Sequence, residues 1–196
     1  PIADFEEGFE GWRTPRGGQA ADAVLSLSDE AVSGAKSMRV DYAFCGRESL
    51  EYIDLATDVP MDKPGLFVGF AFRRGDTPLQ MRIRVMDASG ETHQCAPQIE
   101  KHGDWEYAVA DQGQSHASHW GGDGNGRLDY PCRLVSIVAD RPRIGYQGRG
   151  SLLIDDVRLV RMRPRNSEDR PQVRVAPYRF GCVYAPGEEI ALEAAG

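Results

Sequence analysis

The chain has 196 residues, the length of one ordinary domain with or without a fragment of a second, and its 41% apolar and 27% charged residues suit a core-forming protein. No apolar run approaches the length a membrane-spanning helix needs, which sets integral membrane proteins aside. The formal net charge is -7 and its excess is local: residues 1–100 carry 17 acidic and 10 basic side chains, residues 101–196 carry 13 of each. An acidic chain without a basic stripe is a poor partner for nucleic acid, and it fits a cation site or a neutral ligand better.

Period-two patterns dominate the chain in order. Ala23 to Ser28 reads as a strand, followed by Ser37 to Phe44, where Met38, Val40, Tyr42 and Phe44 share one face. Gly65 to Phe72 is a more continuous apolar run. Leu79 to Met86 alternates Leu79, Met81, Ile83 and Val85 against Gln80, Arg82 and Arg84. Trp105 to Ala110, Leu134 to Ala139 and Leu152 to Val160 supply three more strands. Turn signals separate them at Gly17-Gly18, Asp87 to Gly90 and Gly121 to Gly124. With 22 glycines and 12 prolines, turns are abundant, and no twelve-residue stretch carries a helical period. The predicted fold is all-β: eight or nine strands in a two-sheet antiparallel β-sandwich of jelly-roll type. Residues 1–163 form the predicted module and 164–172 a solvated linker with little to bury. Residues 173–196, with a Pro186-Gly187 turn, are read as the start of a following β-domain or as strands folded back on the first.

The four cysteines, Cys45, Cys95, Cys132 and Cys182, form no CxxC pair, which speaks against a structural zinc ribbon or a thioredoxin-type site. Free buried thiols are preferred over two disulfides. His116 and His119 lie three apart, but no Cys or carboxylate falls at a standard metal-ligand spacing, so both are read as exposed loop residues. The chain has no Gly-x-Ser-x-Gly, phosphate loop or dinucleotide fingerprint, and no carboxylate pair stands out for glycoside hydrolysis.

Three segments in order resemble the calcium-containing, galactose-binding-like jelly-roll carbohydrate-binding modules attached to glycoside hydrolases: Asp4-Phe5-Glu6 with Gly11-Trp12, Ser33-Gly34-Ala35-Lys36-Ser37-Met38-Arg39-Val40, and Gly150 to Leu159 with its Leu153-Ile154-Asp155-Asp156-Val157 core. Trp105 to Val109 and His119 to Gly124 are similar to patterns recurring in such sandwiches. The tail Tyr184 to Leu192 is similar to the opening of an immunoglobulin-like domain. The resemblance implies a structural Ca²⁺ pinning the first strand to the last. Its side-chain ligands would be Glu6 and Asp155, backbone carbonyls near Asp4 and Lys36 would join them, and Asp156 would replace or assist Asp155. Ca²⁺ takes six to eight hard oxygens, so the acidic residues of two strands that must meet suit it in kind.

For such a module the expected function is non-catalytic binding of a polysaccharide or oligosaccharide, targeting a covalently attached catalytic domain to its substrate. The expected setting is a secreted or periplasmic monomer with neither nucleic-acid nor membrane partners. Sugar rings stack on aromatic faces while planar polar groups take their hydroxyls. The candidates are Trp120, Tyr52, Tyr130 and Tyr146, with Gln80, Arg82, Arg84, Arg39 and Asp41. Trp12 and Trp105 are read as core. Trp120 is the best platform, and a loop-anchoring role stands beside it. Arginine outnumbers lysine 20 to 3, which suits an acidic glycan or reflects base composition. Two alternatives remain: a spacer sandwich without ligand, and a jelly-roll polysaccharide lyase, although Gln98-Ile99-Glu100 lacks the His such lyases place two after Gln.

Overall fold

The computed structural model describes residues 1–15, 21–46, 50–63, 66–111, 118–161, 173–176 and 191–194. The strands, in chain order, are β1 (Asp22–Ser28), β2 (Ser37–Phe44), β3 (Tyr52–Met61), β4 (Leu66–Arg74), β5 (Gln80–Met86), β6 (Glu91–Cys95), β7 (Gln98–His102), β8 (Trp105–Asp111), β9 (Ser118–Gly121), β10 (Cys132–Asp140), β11 (Gly148–Arg161), β12 (Val173–Ala176) and β13 (Ala191–Ala194). One sheet runs β1-β2-β11-β4-β8-β7 and the other β3-β10-β5-β6-β9, all pairs antiparallel. The predicted all-β sandwich is the observed fold. β12 and β13 pair with each other, Val173 opposite Ala194. The turn at Gly17-Gly18, Gly65, His116, Cys182, the linker 164–172, the Pro186-Gly187 turn and most of the 184–192 segment lie outside the described residues.

Alternation explains which faces meet. Met38, Val40, Tyr42 and Phe44 of β2, Leu152 and Ile154 of β11, Val68, Phe70 and Phe72 of β4 are all buried. Facing them from the other sheet are Ile53 and Leu55 of β3, Met81, Ile83 and Val85 of β5, and Leu134 and Ile137 of β10. Each fully buried side chain of this size contributes about 1.5–3 kcal/mol. A one-residue slip would turn a whole row of them to solvent, so the core sets the register.

Four strands escape the sequence pattern. β3 carries a register shift against β10 between Leu134 and Ser136, which breaks its alternation. β7 is largely and β9 wholly exposed, and in β6 the inward positions include Glu91 and His93 instead of hydrophobic residues.

The N-terminal segment closes one side of the sandwich. Ala3 bridges Val157 of β11, and Arg13 bridges Ala56 of β3, so residues 3–13 span from one sheet to the other. Between the bridges Phe5 and Trp12 are buried edge to face at 6.3 Å. A bulge in β11 between Asp155 and Arg158, with Asp156 at φ 52°, is what frees Val157 to meet Ala3. Cys45 is an exposed thiol and not the buried one expected. Cys132 is buried and donates to the Met61 carbonyl (3.5 Å), and buried Cys95 donates to that of Ile83 (3.8 Å).

Candidate functional site

The outer face of the five-stranded sheet brings together five of the nine sequence-predicted ligand residues, Tyr52, Gln80, Arg82, Arg84 and Trp120. On β5, burying Met81, Ile83 and Val85 obliges Gln80, Arg82 and Arg84 to face outward. The register sets their neighbours: Asp140 lies between Tyr52 and Gln80, Val138 between Asp54 and Arg82, and Ser136 between Ala56 and Arg84. Arg84 is in turn opposite Gln94, and Thr92 opposite Trp120 at the sheet edge.

Arg84 is the hub of this face. Its Cζ lies 4.4 Å from the Tyr52 ring centre and 5.4 Å from that of Trp120, and its Nε donates to Gln94 Oε1 at 2.9 Å. A guanidinium over two aromatic faces is attracted by both ring quadrupoles and holds their orientation. Trp120 remains 45% exposed. Beside it Arg82 donates to Gln80 Oε1 (3.0 Å) and pairs with Asp140 at 3.5 Å. Burial pushes the Asp140 carboxyl up, against the opposing pull of Arg82, Arg84 and Arg141. Oδ1 of Asp54 is buried on this face with no hydrogen-bond partner. Aromatic surface, planar donors and carboxylate acceptors thus share one open surface, the chemistry that a polyhydroxylated ring needs. The sequence pattern does not single out Gln94 or Asp54, because it does not mark β6 and β3 as strands, and Asp140 lies one residue past the predicted end of the Leu134 to Ala139 strand.

The other four candidates lie elsewhere. Arg39 and Asp41, on β2 of the opposite sheet, form a bidentate pair with each other. Tyr130 packs against the core. Tyr146 also packs there, edge to face with Phe44 at 6.0 Å, and its hydroxyl lies 3.1 Å from that of Thr77. Trp12 is in the core, while Trp105 is half-buried beneath Arg73.

The residues predicted for calcium converge on the turn at 32–36. Glu6 Oε1 accepts the N–H groups of Ala35 (2.8 Å) and Lys36 (2.9 Å). Asp155, fully buried, accepts from Val32 (2.8 Å) and Ser33 (3.0 Å) on Oδ2 and from Asp156 N–H (2.7 Å) on Oδ1. Burial pushes the Asp155 carboxyl up; the Ser33 and Val32 N–H groups pull it back, and the nearby charges of Glu6 and Asp4 raise it further. Gly34, at φ +68°, lies so close to Glu6 that a Cβ there would overlap its carboxylate. Asp4 Oδ1 accepts the Glu6 N–H (3.2 Å). The Lys36 ammonium pairs with Asp29, and Asp156 is directed to Arg158 instead of to the turn.

A second polar cluster, unforeseen from the sequence, lies inside the five-stranded sheet. Asp87, Glu91 and His93 are buried together at the β5–β6 turn, and His119 of β9 contacts Glu91. Burial would raise the Asp87 carboxyl, but hydrogen bonds from Ser89, from the N–H groups of Glu91 and Asp129, and from His93 outweigh it and hold it below its ordinary value. His119, expected as an exposed loop residue, is exposed as expected but lies on strand β9, in contact with a buried carboxylate.

By sequence the chain matches no protein-family model and no curated protein. By structure it is similar to a family 11 carbohydrate-binding module from Clostridium thermocellum in complex with a β-1,3-1,4-mixed-linked tetrasaccharide, with TM-score 0.54 and 17% identity over 80% of this chain and 92% of that one. It is also similar to a protein studied for promiscuous specificity among carbohydrate-binding modules of the β-sandwich superfamily, with TM-score 0.52 and 16% identity over 80% of this chain; the chain spans 60% of that protein's length. An exo-β-agarase aligns with TM-score 0.52 and 15% identity over 84% of this chain and 25% of its own length. The chain has the all-β fold shared by β-sandwich carbohydrate-binding modules.

Proposed function

We propose that this domain binds a polysaccharide or oligosaccharide on the outer face of its five-stranded sheet, without acting on it chemically. The observation that carries the reading is Arg84 stacked over both Tyr52 and Trp120 on an open surface that also presents Gln80, Arg82 and Gln94. Trp120 and Tyr52 supply C–H stacking surface, and the guanidinium and amide groups supply directional hydrogen bonds to hydroxyls. Similarity in fold to modules that bind carbohydrate supports this reading, although one sandwich hosts many functions. Binding would hold an attached glycan-degrading catalytic domain near its substrate and raise its effective concentration, in a secreted or periplasmic setting. Native affinity electrophoresis over neutral and acidic glycans tests it. Retardation without product agrees with the proposal; no retardation by any glycan, or release of an unsaturated product, overturns it.

Calcium fits the 32–36 turn. Crowded carboxylates from Asp4, Glu6 and Asp155, with Asp155 fully buried, are the condition that a hard divalent cation relieves. Glu6 and Asp155 would hold it with backbone carbonyls near Asp4 and Lys36, joining the N-terminal segment to β11. Its role would be structural, and a thermal midpoint unchanged by a calcium chelator would count against it.

A further inference from the structure

Strand β6 places Glu91 and His93 on its inward side, where its neighbour β5 places Ile83 and Val85. The side chains of Asp87 and Glu91 have no exposed surface and that of His93 is 1% exposed. One donor atom from each of these three residues lies within 4.8 Å of the other two. Asp87 Oδ2 lies 3.4 Å from His93 Nε2. His119, the register partner of His93, directs Nδ1 to Glu91 Oε1, and the two imidazoles stack at 6.2 Å with 21° between planes.

From this geometry we infer that Asp87, Glu91, His93 and His119 form a binding site for a divalent transition-metal ion of the zinc class, inside the sandwich behind Trp120. A tetrahedral ion with bonds of about 2.0–2.1 Å has ligand-to-ligand edges near 3.3 Å, close to the Asp87–His93 separation. Two imidazole nitrogens and two carboxylate oxygens suit zinc, cobalt or nickel; calcium takes oxygen alone. Charge points the same way: among the described residues Asp87 pairs with His93 and Glu91 with His119, and a dication would add the counter-charge that neutral imidazoles do not supply.

The surroundings orient the ligands. Asp87 Oδ1 accepts Ser89 N–H (2.9 Å), Ser89 Oγ (2.8 Å) and Glu91 N–H (2.9 Å), while Oδ2 accepts the Asp129 N–H (3.3 Å) and faces His93. Glu91 accepts the Gly126 N–H at 3.2 Å. Gly122, at φ +49°, packs so tightly on the Glu91 backbone that a Cβ would overlap it. Such outer hydrogen bonds hold metal ligands in place. The ion would tie the β5–β6 turn to β9, an edge strand joined to the sheet through β6, and Trp120 stands next to His119 on that strand. Occupancy would therefore stiffen the rim of the sheet face.

The test uses the untagged full chain, stripped with a chelator and returned to calcium-containing buffer so that the 32–36 turn is served. Titration with Zn²⁺ by calorimetry should show one equivalent bound and a raised thermal midpoint, and Co²⁺ should give the intense visible absorption of a tetrahedral site. H119A and E91Q should each weaken Zn²⁺ binding at least tenfold, while H102A, on β7 of the other sheet, should not. His119 is partly exposed, so H119A keeps the test decisive if E91Q fails to fold. No Zn²⁺ binding, or Zn²⁺ binding unchanged in H119A, overturns the inference. A weak octahedral Co²⁺ spectrum does the same. None of these readouts involves a glycan.

Discussion

The guanidinium of Arg84 lies over the indole of Trp120 at 5.4 Å, and the same group lies over Tyr52 at 4.4 Å. One side chain on the middle strand thus couples aromatic rings from the two edge strands, β3 and β9. On the proposed binding face Arg84 would therefore position both rings as well as donate to a hydroxyl.

Truncating Trp120 to Ala should weaken glycan binding by about tenfold to a hundredfold, the range of an aromatic anchor worth about 1.5–3 kcal/mol. Arg84→Ala should weaken it comparably, while Arg84→Lys should restore only part, because an ammonium stacks less well and cannot present a planar fork. Arg39→Ala, on the opposite sheet, should leave binding unchanged. Calorimetry against a glycan retarded in the electrophoretic screen reads all four.

Gly34→Ala should destabilise the fold by about 1–3 kcal/mol, since the position needs positive φ and the added Cβ meets the Glu6 carboxylate. Urea denaturation measures it. The loss should be accompanied by a smaller response to added calcium, because Glu6 would be displaced from the 32–36 turn.

Glu51 and Arg141 form a buried ion pair at 3.2 Å, and Glu51 also accepts the N–H groups of Cys45 (2.6 Å) and Gly46 (2.8 Å). Burial pushes its carboxyl up, but these bonds and the Arg141 charge prevail and hold it below the ordinary value of 4.5. Between its folded and unfolded values the unfolded chain binds more protons. Its stabilising contribution is therefore complete above pH 4.5 and lost as pH falls through the folded value. Glu51→Gln should cost about 1–3 kcal/mol near neutral pH, because the Cys45 and Gly46 N–H groups and Arg141 lose a charged acceptor, and should flatten the acid limb of the stability profile. Denaturant midpoints measured at successive pH values give both.

Thiol reactivity should split by environment. Burial pushes the Cys132 thiol up to about 11, whereas Cys45 is exposed. Iodoacetamide followed by peptide mapping should modify Cys45 in the native protein and leave Cys132 untouched until denaturant is added. Rapid native labelling of Cys132 would contradict its placement between the sheets.

The chain by itself determined the sandwich. Alternation in 37–44 and 79–86 assigns Met38, Val40, Tyr42 and Phe44, then Met81, Ile83 and Val85, to the interior, and period two admits only strands there. The same alternation turns Gln80, Arg82 and Arg84 outward, so part of the candidate binding face was legible once β5 was recognised. Pairing across strands was not legible. That Tyr52 and Trp120 meet one guanidinium while Arg39 and Asp41 stand on the other sheet follows from a strand order that local patterns do not encode. Tyr130 and Tyr146 went to the core because a tyrosine buries its ring as readily as it presents it. Most hidden was the Asp87, Glu91, His93 and His119 cluster. Asp87, Glu91 and His93 occupy buried positions that hydrophobic patterning assigns to apolar side chains, and β9 is exposed throughout, so the pattern hid β6 and β9, and only the assembled sheet gathers the three buried donors and brings His119 onto Glu91.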